Sequence, residues 1–281
     1  GACGWPARSP CRHCARGRWA GRSAFELAGV VSLCALSCRL AQNAVVDRGR
    51  DRDELRGAVY RADVDALVSL LEPGRDWPGD ALQLLGDAVL VVVGQREREV
   101  EPTARRCVDQ LRERDWEGDA ELATQIEGAF GWAAAALLRS LPVDLEELAG
   151  VLEGDPFQGG GRIDLRTGDV WPQSVFDDTE ESGDDEDDVE EHWLWVHCEG
   201  SRAGYRDMER FIELVEDAPL AARLERSIQG RGAFRRFKDA LEDWPDLLER
   251  WYGFTDERHR GRARAWLAAE GYAPDPNRDR S

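Results

Sequence analysis

The 281-residue sequence holds a single methionine, Met208, and no apolar run long enough to cross a bilayer. The apolar stretch 27–38 is twelve residues, against the roughly 20 that a spanning helix needs, so a membrane is excluded as a partner through such a helix. A phosphate-binding loop is missing. Gly159-Gly160-Gly161 is too short for one and lacks the following Lys and Ser/Thr, so it reads as a flexible joint. The run 177–191 has eleven acids among fifteen residues, no Lys or Arg, and one glycine, Gly183. It lacks the Asp-x-Asp-x-Asp-Gly spacing of a calcium loop, so diffuse cation condensation is expected of it rather than a caged ion. Beyond residue 38 the only cysteines are Cys107 and Cys198, too sparse for a disulfide framework. That scarcity fits a reducing cytoplasm.

The first 52 residues differ from the rest. Residues 1–22 are rich in Gly, Arg, Pro and Cys, with no apolar period, and read as disorder. The chain opens on Gly1, as expected of a fragment, a processed end or an extension beyond the translated protein. Arg16, Arg18 and Arg22 precede the apolar stretch, and Ala35-Leu36-Ser37-Cys38 approximates a lipoprotein cleavage box. Export is therefore the alternative to a cytoplasmic location. Cys11 and Cys14, with Cys34 and Cys38, are the alternative metal set. Structural zinc wants four thiolate or imidazole ligands, but the second pair is spaced x3 and sits in the apolar run.

The formal net charge is −19. Residues 1–52 contribute nine Arg and three acids, leaving about −25 for the remainder. Such a body repels nucleic acid at long range, because phosphate binding draws on Lys and Arg neutralisation. Any nucleic-acid contact must then be local and must compete with the acidic run. Of eleven Trp, six (171, 193, 195, 244, 251, 266) follow residue 170. Concentrated large aromatics predict a small domain that buries them in its core, with an aromatic recognition surface as the alternative.

Residues 53–140 predict a helical domain of four helices. Their stripes are Val59, Val64, Leu67, Leu70 and Leu71, closed by Pro73-Gly74; Leu82, Leu85, Val89, Val92 and Val93; Val108 and Leu111, after Pro102; and Leu122, Ile126, Phe130, Ala133 and Leu137, closed by Pro142. Residues 141–272 predict an α+β domain. Asp144-Leu145-Glu146-Glu147 has the capping-box arrangement. Arg162-Ile163-Asp164-Leu165 alternates, Thr167-Gly168 turns and Val170-Trp171 returns, which predicts a hairpin. The run His192-Trp193-Leu194-Trp195-Val196-His197-Cys198 predicts a strand apolar on both faces, hence central or helix-covered. Four helices follow: one with Tyr205, Met208, Phe211, Ile212 and Val215; one from Pro219 with Leu220, Leu224 and Ile228; one with Phe234, Phe237, Leu241 and Trp244; and one capped by Thr255 and closed by Gly271. Residues 273–281 form a polar tail expected to fray. The fold class is α+β: an all-α N-terminal region, then a domain with a small, mostly antiparallel sheet packed by helices.

Four motifs in the C-terminal half carry a resemblance. They are Val143-Asp144-Leu145-Glu146-Glu147-Leu148, the hairpin Leu165-Arg166-Thr167-Gly168-Asp169-Val170, the segment Gly230-Arg231-Gly232-Ala233-Phe234-Arg235-Arg236-Phe237-Lys238-Asp239, and Trp251-Tyr252-Gly253-Phe254-Thr255-Asp256-Glu257-Arg258. With them the stretch 143–272 resembles the bacterial uncharacterised protein family 0158. The resemblance implies no activity, catalytic residue or cofactor.

No catalytic constellation is evident. On a strand His192 and His197 point to opposite faces, and His192 and Cys198 stand roughly 20 Å apart. These are expected as structural side chains. The 230–239 segment is the best binding candidate. Gly230 and Gly232 bracket Arg231 where one helix stops and another starts, so exposed N–H groups there make an anion site. Arg231, Gly232, Arg235, Arg236 and Lys238 are the expected ligand-binding residues. Arg258, Arg260, Arg262 and Arg264 would extend the surface if the last helix packs alongside. The expected function is a noncatalytic, cytoplasmic, regulatory binding module without a cofactor, meeting an anionic ligand, nucleic acid or an acidic protein segment. The alternatives are an interaction scaffold acting through helices 53–140, and a metal-dependent hydrolase or nuclease built on the carboxylates.

Overall fold

A computed structural model describes residues 49–75, 77–154, 159–173, 192–198 and 200–275. Cys11, Cys14, Cys34, Cys38 and the acidic run 177–191 lie outside these residues. From Gly49 onward the described chain forms one compact unit. It begins with α1 (residues 49–60) and α2 (Val64–Leu70), whose N-terminus is capped by Asp63 through the Ala66 N–H. A 3-10 turn (Gly79–Ala81) leads into α3 (Leu82–Arg114). The second and third expected helices are therefore one rod of 33 residues, broken only at Arg96 (φ −135, ψ 39). Pro102 falls six residues after that break, where its missing N–H costs one hydrogen bond without ending the helix.

The fourth helix, α4 (Asp119–Ala129), stops earlier than its apolar stripe suggests. Gly131 adopts φ +67. The Gly131 N–H donates to the Gly128 carbonyl (3.1 Å) and the Trp132 N–H to the Glu127 carbonyl (2.9 Å). Those two bonds are the Schellman closure that a left-handed glycine permits. Ala133 and Leu137 consequently leave the stripe, and Leu137 is fully exposed. The chain turns into β1 (Arg139–Leu141), which pairs in parallel with β5 (Tyr272–Pro274). The first residues assigned to the fraying tail are thus strand, and the Asp275 N–H donates to the Leu141 carbonyl at 2.8 Å.

Asp144 caps α5 (Leu145–Leu152), accepting from the Glu146 N–H at 2.8 Å and the Glu147 N–H at 3.4 Å. The expected hairpin follows as β2 (Gly161–Asp164) and β3 (Val170–Pro172), antiparallel, with Arg162 opposite Trp171. β4 (Trp193–Val196) pairs with the other side of β2, placing Arg162 opposite Trp195. The order β3-β2-β4 makes β2 central and β4 an outer strand of the three, so the Trp-rich strand is not central, although its inner face packs in one cluster with α5 and α9. Only the aliphatic half of that strand is inward: Val196 is buried, whereas Trp195 is 53% exposed.

Four helices complete the unit: α6 (Arg202–Glu213), α7 (Ala218–Ser227), α8 (Ala233–Glu242) and α9 (Pro245–Ala269). Asp217 caps α7, with Pro219 in its first turn. Pro245 in the first turn of α9 fixes its start ten residues before Thr255. Thr255 lies within that helix, its hydroxyl bonded to the Trp251 carbonyl four residues back (3.0 Å). Burial falls into three apolar clusters: one among α1–α4, one among α6–α9 around Phe211, Phe237 and Trp251, and one joining α5, the β2 and β4 inner faces and the end of α9. α9 reaches the α1–α4 end as well, where it meets the 117–118 turn backbone to backbone. A Cβ on Gly118 (φ +86) would lie 2.1 Å from the Gly261 carbonyl oxygen, so this crossing admits glycine alone.

Candidate functional site

The basic corner forms where α7 ends and α8 begins. Gly230 (φ 75) and Gly232 (φ 73) both take the left-handed conformation that turns the chain between them. Arg236, one turn into α8, folds back over the turn. Its guanidinium donates to the carbonyls of Ser227 (3.0 Å), Gln229 (2.5 Å), Gly230 (3.4 Å) and Arg231. A cation is thereby placed on the orphan carbonyls at the negative end of α7. Arg236 is thus a brace that holds the corner and does not project from it.

The remaining cations face outward. Arg231, Arg235 and Lys238 are exposed, and Lys238 is the only lysine in the sequence. Arg235 stands 4.0 Å from Asp239 with its side chain 90% exposed, a pairing that solvent screens heavily. Gly232 supplies no side chain to cap α8, so the first N–H groups of that helix lie at the same end as Arg231 and Arg235. Beneath them Phe237 is fully buried against Phe211 and Trp251. Phe234 is 38% exposed, so one of the two expected inward rings stays partly at the surface.

The arginines of α9 do the opposite of what a binding surface requires. Residues 258 and 262 lie one turn apart on one face, and 260 and 264 on another about 200° away. Asp207, fully buried, accepts from Arg258 (3.0 Å) and Arg262 (2.8 Å). Asp87 accepts from Arg260 (2.6 Å) and from Arg264. Glu153 adds a second carboxylate to Arg262 and meets His259 at 2.7 Å. Burial pushes the Glu153 carboxyl up, but His259 and Arg262 outweigh it and hold it below its ordinary value. Burial likewise opposes the charge on Arg260, and Asp87 and Glu146 more than restore it. Glu257 accepts from the Gln83 N–H (2.8 Å), the Leu84 N–H (3.3 Å) and Arg114 (2.9 Å). Its carboxylate thus caps α3, whose own N-cap Ala81 offers no side-chain bond. These charges are neutralised inside the unit, so the four arginines do not extend the basic corner.

A cleft of about 370 Å³ opens beside this ladder, lined by Arg56, Tyr60, Asp87, Glu146, Arg260 and Asp275 among others. Arg260 and Arg56 both pair with Glu146 there, so its most buried charges already serve the fold. Among the described residues no group of three or more His, Cys, Asp or Glu is placed to hold a metal ion. The Cys198 thiol donates to the Gly154 carbonyl (2.8 Å) and accepts from the Gly200 N–H (3.3 Å). Cys107 is fully buried, and burial pushes its thiol far above the ordinary range, which suppresses thiolate chemistry.

One surface was expected only as the alternative to a buried aromatic core. The strand-pair register puts Trp171, Arg162 and Trp195 in one row across the three-stranded sheet, and Trp193 lies two residues from Trp195 on the same face. Trp171 is 40% and Trp195 53% exposed. The signal was the alternation in Trp193-Leu194-Trp195-Val196, which sends both indoles to one side.

Comparison with known proteins bears on the C-terminal half. Residues 201–279 match the model of "Uncharacterised protein family (UPF0158)". That span contains the 230–239 and 251–258 motifs, while the 143–148 and 165–170 motifs precede it. A UPF0158 protein of Pseudomonas aeruginosa is 29% identical over 142 residues, covering 49% of this chain and 88% of the relative. No solved structure matches the chain. The C-terminal half of this protein therefore resembles UPF0158, a family without an assigned activity.

Proposed function

We propose that this protein is a noncatalytic bacterial binding module, cytoplasmic and regulatory, and that the corner between α7 and α8 is its contact with an anionic ligand. The observation that carries this reading is the division of labour among the corner's cations. Arg236 is spent on four carbonyls, which stiffens the turn. Arg231, Arg235 and Lys238 are left exposed at the start of a helix with no side-chain cap. Uncapped N–H groups and nearby guanidinium groups favour a phosphate or carboxylate. The protein's overall charge of −19 makes any such contact short-ranged. A phosphate-bearing ligand, nucleic acid or an acidic protein segment all share the required chemistry.

The test uses the double variant Arg235→Glu with Lys238→Glu, which leaves Arg236 and the turn intact. Titrations with inorganic phosphate, a short single-stranded oligonucleotide and an oligoglutamate peptide should show binding of at least one to the native chain. Charge reversal should weaken that binding ten-fold or more, in order-of-magnitude terms. Equal binding by both proteins, or no binding by either, would remove the corner from consideration.

A further inference from the structure

The segment that joins α4 to β1 is apolar and faces solvent. Ala133, Ala134, Ala135, Ala136 and Leu137 are exposed in succession, and the Leu137 side chain is fully so. Globular surfaces avoid exposed apolar runs of this length unless a function keeps them. The segment is nevertheless braced. At its start Trp132 stacks on Phe130 with ring centroids 4.4 Å apart, and the Arg105 guanidinium lies 4.1 Å over the Trp132 ring. Further on, a Cβ on Gly128 would stand 3.0 Å from the Ala135 Cα, so the chain runs hard against α4. At its end β1 pairs with β5. Leu137 is therefore an apolar knob on a segment tied at both ends.

A hole of matching size lies beside the knob. Ala129, Ala135, Ala136, Leu138, Ala268 and Tyr272 supply the apolar lining of a pocket of about 100 Å³. An apolar cavity of about 150 Å³ takes a six-carbon ring, so this one suits the four carbons of a leucine side chain. Its polar lining is largely engaged already: Arg264 donates to the Gln125 side chain (3.0 Å), Gln125 to the Pro274 carbonyl (2.9 Å) and Thr124 to the Ala120 carbonyl (2.8 Å). Leu137 does not fill the pocket of its own chain, since it is fully exposed, yet its neighbours Ala136 and Leu138 both line it. A knob and a hole within one patch give the self-complementary surface that a two-fold dimer requires. The charges agree, with Glu121 in the lining and Arg139 two residues beyond the knob. We infer that this patch is a two-fold interface between copies of this chain, with Leu137 of each copy seated in the pocket of the other.

The experiment is sedimentation velocity on the full chain. A monomer should pass to a dimer as concentration rises. Each copy carries a net charge of −19, so the dimer should tighten as added salt screens that repulsion. Leu137→Ser, at a fully exposed position, removes the knob, and Ala268→Leu fills the hole; each should weaken the dimer about ten-fold or more. Mixed together, the two variants should recover part of the association, because the mixed dimer holds one intact knob in one intact hole. Circular dichroism confirms that each variant is folded; if Ala268→Leu perturbs the fold, Leu137→Ser alone decides. The inference is overturned by a monomer at every concentration, which would leave the patch to a different protein, or by a dimer that ignores Leu137→Ser. Two folded variants that fail to complement each other would overturn it too, as would open-ended polymers, which a two-fold contact cannot build.

Discussion

Asp207 on α6 bridges two arginines of α9 from a fully buried position. Its side chain is fully buried and joins Arg258 at 3.0 Å to Arg262 at 2.8 Å. Asp207→Asn preserves shape but removes the charge and turns one acceptor into a donor that faces a guanidinium. Arg262 keeps Glu153. Arg258 loses its charged partner, and among the described residues its Nη1 is buried without a hydrogen bond even in the native protein, while its Cζ lies 5.4 Å from the centroid of the Trp116 ring. Breaking a buried pair from one side costs about 3–5 kcal/mol. For a unit of this size that corresponds to a fall in Tm of roughly 10 °C. Urea unfolding followed by far-UV circular dichroism should show the midpoint move while the slope with denaturant stays constant. The matched control is Asp243→Asn, which breaks the 2.8 Å pair with Arg223 where both side chains are about half exposed or more. That change should cost less than about 1 kcal/mol. If the two variants unfold at the same urea concentration, the buried ladder contributes no more than a surface contact and the argument fails.

Three further outcomes follow from the same geometry. Gly118→Ala meets both a positive φ and a carbonyl oxygen at 2.1 Å; a loss of about 3 kcal/mol in chemical unfolding is expected, and a loss below 1 would place the α9 crossing elsewhere. Asp144→Ala removes the cap of α5 and should cost about 1 kcal/mol in the same assay, with Asp144→Asn recovering most of it. Glu153 has a folded pKa below its ordinary value, so its contribution is present above the unfolded pKa and is lost as pH falls through the folded one. Glu153→Gln should therefore flatten the acid limb of a stability–pH profile below about pH 4.5, and an unchanged limb would contradict the assigned shift.

The local signals were the most legible part of this sequence. Asp144 announced its cap, Thr167-Gly168 its turn, and Pro219 and Gly271 the limits of their helices, because each acts within four or five residues of itself. Signals of equal strength were passed over: Gly131, which closes α4, and Pro245, which opens α9. What stayed hidden was partnership between distant segments. Arg258, Arg260, Arg262 and Arg264 look like free surface cations until Asp207, Asp87 and Glu153 are brought against them. Nothing in the spacing of α9 discloses acids 51 to 177 residues away. The same limit applied to the corner: the five predicted residues are adjacent in space, yet the inward turn of Arg236 depends on where α7 leaves its carbonyls. The aromatic strand was misjudged for another reason. Trp counts as apolar in a hydropathy pattern, but it is also a surface residue when flanked by charge, and only alternation separates the two.

The arginine ladder also bears on how this chain can be dissected. The span matched by the family model begins at residue 201, yet Asp87, Gln83, Arg114, Glu146 and Glu153 all lie before it. Excised at that boundary, α9 would carry four guanidinium groups and one carboxylate stripped of most of their counter-charges. A border drawn by sequence likeness need not be a seam along which the polypeptide will part, and here an isolated C-terminal fragment should be insoluble or unfolded.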